Sequence, residues 1–109
     1  MATVASQQVV RAGLAPVYSA ASAGGDSFLP DTSTFLHVKN ASASSVTVTI
    51  VTPGNVAGFA IADLAVAIPA AGERLIGPLG GGLFTDPADG LGDITWSATT
   101  SVTFAALFV

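Results

Sequence analysis

Between residues 34 and 40 the order Thr-Phe-Leu-His-Val-Lys-Asn alternates between apolar and polar character, and Val46-Thr47-Val48-Thr49-Ile50 repeats the pattern. A period of two places Leu36 and Val38 on one face of an extended chain and Phe35, His37 and Lys39 on the other. It separates Val46, Val48 and Ile50 from Thr47 and Thr49 in the same way. A helix, whose face repeats at about 3.6 residues, would scatter both sets around its circumference. The chain is therefore committed to sheets, and the polar linker at residues 41–44 predicts that the two runs pair as a hairpin.

The remaining segments extend that reading. Pro53-Gly54 has the chemistry of a type II turn, with proline presetting the first dihedral and glycine accepting the positive φ. A second hairpin is predicted, with arms at residues 64–68 and 74–76 joined by Pro69-Ala70-Ala71-Gly72 and ended by Gly77-Pro78. Residues 56–62 are Ala-rich, but Gly58 and its β-branched neighbours favour strand or loop over helix. Residues 80–92 carry three consecutive glycines, Pro87 and Asp89-Gly90 without an apolar period, the pattern of the most mobile loop. Two strands close the chain. Residues 93–98 put Ile94 and Trp96 on a core face, and residues 101–109 become apolar on both faces after Phe104, as in a strand covered on both sides. Residues 1–33, with Pro16, Gly24-Gly25 and Pro30, read as an arm with turns in which only residues 14–20 resemble a strand. The expected architecture is a single all-β domain, an antiparallel β-sandwich of jelly-roll or immunoglobulin-like type. Residues 1–33 would form an extended N-terminal arm and first strand packed on the domain, and residues 34–109 the sandwich.

Composition narrows the function. Half of the 109 residues are hydrophobic and only 9% are charged, against about a quarter charged in an ordinary globular domain. A surface built from Ser, Thr, Ala and Gly has few charges to hold copies apart, which favours association. Arg11, Lys39 and Arg74 are the only basic residues and are scattered along a chain of net charge −4, so no phosphate-neutralising patch forms and nucleic acid is excluded as a partner. The absence of cysteine removes disulfides, thiolate metal sites and thiol nucleophiles. The first residues show neither a basic leader nor a sustained apolar run, so the chain is expected to stay where it is made. The longest charge-free run, residues 40–62, is interrupted by Ser, Thr, Asn and Pro53-Gly54, which argues against a membrane span.

No catalytic set emerges. His37 is the sole histidine, its parity places it on an outer sheet face, and no G-x-S-x-G element accompanies it. Asp86, Asp89 and Asp93 offer carboxylates, but their spacing matches no calcium loop and aspartate is common in turns for its own hydrogen bonding. The glycines from Gly77 to Gly82 lack the Lys-Ser/Thr of a nucleotide loop. Asn40-Ala41-Ser42 fits a glycosylation sequon and is read as loop chemistry. Glu73 and Arg74, adjacent on a strand, point to opposite faces and pin an edge. The chain is read as a non-enzyme that needs no cofactor.

The segments Leu14-Ala15-Pro16-Val17-Tyr18, Gly24-Gly25-Asp26 and Thr34-Phe35-Leu36-His37-Val38-Lys39-Asn40 resemble small proteins encoded beside the major capsid protein of tailed bacteriophages. Val46-Thr47-Val48-Thr49, then Ile68-Pro69-Ala70-Ala71-Gly72-Glu73-Arg74-Leu75-Ile76-Gly77-Pro78 and a Thr-rich closing strand follow in the same order. The loop at residues 80–92 departs from that family in length and glycine content. The resemblance implies a capsid decoration or minor capsid protein that binds the outside of the head and reinforces contacts between capsomers. Its partners would be the major capsid protein and copies of itself, a trimer among the forms, and its location the virion surface after synthesis in the host cytoplasm. The family transfers no binding residues. Physical reasoning selects apolar and aromatic residues at outer or terminal positions, namely Tyr18, Phe28, Leu29, Phe35, Leu107 and Phe108. A tail, neck or fibre component shares the composition, and a carbohydrate-binding or adhesion sandwich is the alternative of another class.

Overall fold

The computed structural model describes residues 2–31, 33–52, 55–60, 62–79, 84–86 and 90–109. Among these, every regular element is a strand: β1 Ala2–Val4, β2 Gln7–Gln8, β3 Ser19–Ala20, β4 Asp26–Phe28, β5 Thr34–Asn40 and β6 Val46–Ile50, followed by β7 Asn55–Val56, β8 Phe59–Ala60, β9 Leu64–Ile68, β10 Glu73–Ile76, β11 Gly92–Trp96 and β12 Val102–Phe108. The first sheet has the order β1-β4-β11-β6-β9; the second has β10-β5-β12-β2, with β3 also paired to β12. β7 and β8 form a separate two-stranded hairpin.

The alternating runs choose the inner faces as their period requires. Leu36 and Val38 of β5, Val46, Val48 and Ile50 of β6, Phe28, Ile68, Ile94, Val102, Phe104 and Ala106 are all buried and form one apolar cluster between the sheets. Trp96 packs against this cluster, its ring 5.1 Å from that of Phe104, as its parity with Ile94 predicts. β12 is covered on both faces, with Ala105 and Leu107 buried although their parity turns them away from the core.

Both predicted hairpins are corrected. β5 and β6 lie in different sheets, as do β9 and β10; β5 pairs with β10 and β12, and β6 with β9 and β11. Alternation fixes which face of a strand is buried and leaves its neighbour open, and the two linkers carry the chain from one sheet to the other. Asn40 holds these crossovers together from a buried position. Its Nδ2 donates to the carbonyls of Ser44, Ile68 and Pro69 at 2.8, 3.2 and 3.2 Å, and its Oδ1 accepts from the Ser42 amide and hydroxyl at 3.0 and 2.6 Å. A buried amide satisfied on both ends is part of the fold, which replaces the loop role read from the sequon.

The sheets are mixed where an antiparallel sandwich was expected. The exceptions are both N-terminal: β1 runs parallel to β4, and β2 parallel to β12. Residues 5–6 thus step from the edge of one sheet to the edge of the other. Residues 14–20 contribute only β3, while β1, β2 and β4 arise where no strand was read. These pieces are two or three residues long and are held by ladder bonds, so they leave no alternation to detect. Gly25, at φ +93° and with the position of a Cβ only 2.7 Å from the Ile94 carbonyl oxygen, lets the chain turn into β4.

Within residues 56–62 the described residues form strand and turn rather than helix, with Val56 in β7 and Phe59–Ala60 as β8. Ala57 and Gly58 both have positive φ, 52° and 83°, the two-residue turn that matches the twist of a β-hairpin. Pro53-Gly54 lies outside the described residues, as does most of the loop at 80–92. Of that loop, the Asp86 amide donates to the Leu91 carbonyl at 2.8 Å and the Gly90 amide to the Asp86 carbonyl at 2.7 Å.

Candidate functional site

The outer face of the second sheet gathers most of the chain's distinctive polar chemistry. β5 presents Phe35, His37 and Lys39 outward, each half-buried, and its register with β10 sets Glu73 opposite Lys39 and Leu75 opposite His37. The hydroxyl of Tyr18 lies 2.7 Å from His37 Nδ1, and His37 Nε2 lies 3.3 Å from Glu73 Oε2. A carboxylate only accepts, so the proton of the neutral ring sits on Nε2 toward Glu73, and the Tyr18 hydroxyl donates a hydrogen bond to Nδ1. Lys39 completes the group with its ammonium 4.1 Å from the Tyr18 ring centre.

This arrangement uses both nitrogens of His37 for positioning. The row ties the segment before β3 to β5 and β10 through the Tyr18 hydroxyl and the Glu73 carboxylate. Tyr18 precedes β3, on the outer edge of β12, and reaches His37 on β5, so its side chain crosses β12 at Ala105, which faces His37 in the ladder. That crossing accounts for the burial of Ala105 on an outward face. A second carboxylate is used in the same structural way: buried Asp26 accepts the Trp96 indole proton at 2.8 Å and the Ser22 amide at 2.9 Å on the same Oδ2.

A different part of the surface is apolar. The Gln7 side chain closes a loop over residues 8–16 by accepting from the Val17 amide and donating to the Val17 carbonyl, both at 2.8 Å. The Val9 amide donates to Phe108 at 2.7 Å, Ser6 Oγ to the Leu29 carbonyl at 3.4 Å, and Ser33 Oγ to the Val109 carbonyl at 3.2 Å. These contacts bring Val9, Val10, Val17, Leu29 and Val109 around the C-terminal end of β12, and all five are exposed, Val17 to 71% and Leu29 to 56%. Exposed aliphatic side chains on segments tied together by hydrogen bonds are the kind of surface that marks a protein contact. Beside β10 an open groove of about 330 Å³ is lined by Ser33, Phe35, Leu75, Ile76, Gly77 and Pro78. It has the size of a small-ligand site, but its one hydroxyl is already bonded to Val109, so it offers shape rather than convergent polar groups.

The sequence-selected contact residues divide accordingly. Leu29 is exposed, with its carbonyl bonded by Ser6 Oγ. Phe35 lines the groove, Tyr18 is held by His37, and Phe108 is half-buried beside Val9. Phe28 and Leu107 are not exposed. Phe28 is wholly buried because β4 sits between β1 and β11 with its side chain in the core, and Leu107 is almost wholly buried with β2 paired alongside it. The valines Val9, Val10, Val17 and Val109 were missed. Their only signal is the presence of aliphatics in a Gly- and Pro-punctuated segment that has no period to bury them.

Of the three aspartates, Asp93 accepts from Ser27 Oγ at 3.2 Å, Asp86 is half-buried, and Asp89 lies outside the described residues. Among the described residues no group of three or more His, Asp or Glu side chains converges as metal ligands would, and no helix is long and apolar enough to cross a membrane. No protein-family model, curated protein or solved structure matches the chain.

Proposed function

We propose that this chain is a structural virion protein, a capsid decoration protein that attaches to the outside of a phage head through its exposed aliphatic end and reinforces contacts between capsomers. The observation that supports this reading is the exposure of Val9, Val10, Val17, Leu29 and Val109 on segments tied by hydrogen bonds near the C-terminal end of β12. A chain with 9% charged residues and no convergent acid, base and nucleophile among its described residues is suited to packing against protein.

Strand order supports the same reading. Setting aside β1, β2 and the β7/β8 hairpin, the order β4-β11-β6-β9 faces β3-β12-β5-β10, and every pair in both sets is antiparallel. Successive strands then alternate between the sheets except at the step from β6 to β9, which favours a jelly roll over an immunoglobulin-like sandwich. Jelly rolls recur in viral capsid and lectin domains. The motif resemblance and this order point together to the shell, with the major capsid protein as partner and repeated copies raising the effective strength of each contact.

The test is co-sedimentation with phage heads that lack the protein. Saturable binding at a fixed ratio to the major shell protein is expected, with V9S/V10S/V17S losing at least tenfold in affinity while unfolding cooperatively as the wild type does. Absence of binding, or equal binding by the triple variant, would overturn the assignment; retention on a glycan surface in place of heads would transfer it to a carbohydrate-binding sandwich.

A further inference from the structure

Among the described residues β9 is one of the two edge strands of the first sheet, and its sequence Leu-Ala-Val-Ala-Ile contains neither charge nor proline. Edge strands ordinarily carry such residues because an unpaired row of amides and carbonyls is a template for another strand. The other edge on this side of the sandwich, β10, follows that practice with Glu73 and Arg74. The charge nearest to β9 is turned away from the edge: Asp63 Oδ1 accepts from the Thr52 amide at 2.9 Å and the Thr52 hydroxyl at 3.2 Å.

The ladder shows which groups β9 offers. The Ser97 amide donates to the Thr47 carbonyl at 3.0 Å and the Val51 amide to the Asp93 carbonyl at 3.0 Å, so Thr47 and Val51 point their backbone toward β11. Direction alternates along an antiparallel strand, so Val46, Val48 and Ile50 point theirs toward β9, where they face Ile68, Val66 and Leu64. Ala65 and Ala67 are left with their amides and carbonyls directed at the open edge. Side-chain parity is set as well. Leu64, Val66 and Ile68 share the inner face with β6, yet Leu64 remains 36% exposed and Val66 half-buried, while Ala65 and Ala67 stand on the outer face.

We infer that β9 pairs antiparallel with β9 of a second copy of this chain, about a two-fold axis through Val66. The strand is complementary to itself in that register. Ala65 faces Ala67 of the second copy, and each such pair exchanges both backbone hydrogen bonds. Val66 faces Val66 as a non-hydrogen-bonded pair, the position where side chains approach most closely. Leu64 covers Ile68 of the other copy on the core side, and only methyl groups meet on the outer side, so no bulk or like charge within β9 opposes closure. The first sheets of the two copies become one continuous sheet. A five-residue strand buries far less than the roughly 1,600 Å² of a standard interface, so the pairing is weak in dilute solution and tightens where copies are held at high local concentration. The inference does not depend on the capsid reading.

The register is tested by charge placement on the outer face, away from the core. Sedimentation velocity from micromolar to millimolar concentration is expected to show a monomer–dimer equilibrium for the wild type. A65K/A67K, which sets lysine opposite lysine at both outer pairs, weakens it roughly tenfold; A65K/A67E, which sets lysine opposite glutamate, restores it. Ala67→Pro removes an amide that faces only the open edge, which an edge strand tolerates, and gives a folded monomer. Hydrogen exchange read on the unmodified chain should slow at Ala65 and Ala67 as concentration rises. A wild type monomeric throughout, equal dimerisation of A65K/A67K and A65K/A67E, or exchange at these amides independent of concentration would overturn the inference.

Discussion

Thr34 and Asn40 close the two ends of one alternating run, and in sequence they look alike: a polar residue at the buried parity. The structure uses them oppositely. Asn40 meets carbonyls from both crossovers, whereas Thr34 Oγ1 is buried without a hydrogen-bond partner among the described residues. Asn40→Ala strands several buried partners and is expected to cost about 3 kcal/mol in denaturant unfolding. Thr34→Val exchanges an unpaired hydroxyl for a methyl of similar shape and is expected to stabilise by about 1 kcal/mol in the same measurement. A loss on Thr34→Val would show that the hydroxyl has a partner after all. Which of two buried polar residues will be satisfied depends on carbonyls delivered by strands far along the chain, and no local pattern announces them.

At the scale of elements, the N-terminal strands cover the flanks of β4 and β12 through only five ladder pairs, Ala2 to Val4 on one side and Gln7 to Gln8 on the other. Val4 packs against the core from a half-buried position, while Thr3 and Gln8 are exposed and Gln7 is half-buried. Deleting residues 1–13 is therefore expected to leave a cooperative transition in calorimetry, lowered by about 5–10 °C. The opened edges of β4 and β12 would then promote aggregation above that of the full chain. A truncated protein with no cooperative transition would show that these strands are part of the folding unit. Three-residue β4 lies inside its sheet but is buried at every position, so it shows no alternation, whereas longer strands such as β5 and β6 were legible because one face is buried throughout. The short flanking strands were not, because ladder bonds to a neighbour leave no trace in side-chain order.

For the molecule as a whole, face assignment was readable and neighbour assignment was not. Leu36, Val38, Val46, Val48, Ile50, Ile94 and Trp96 all lie on the face their parity requires, while both hairpins read from short linkers are crossovers between sheets. A linker of four small residues closes a hairpin and bridges two sheets equally well. The surface chemistry divides along the same line. His37 was placed on the outer face by parity, but its partners Tyr18 and Glu73 come from segments 19 and 36 positions away in sequence. The position of β12 has one more consequence. It lies between β5 on one side and β2 and β3 on the other, so three strands made early await one made after residue 101. On the ribosome the second sheet has no centre until that stretch emerges, and the sandwich closes only after it has been synthesised.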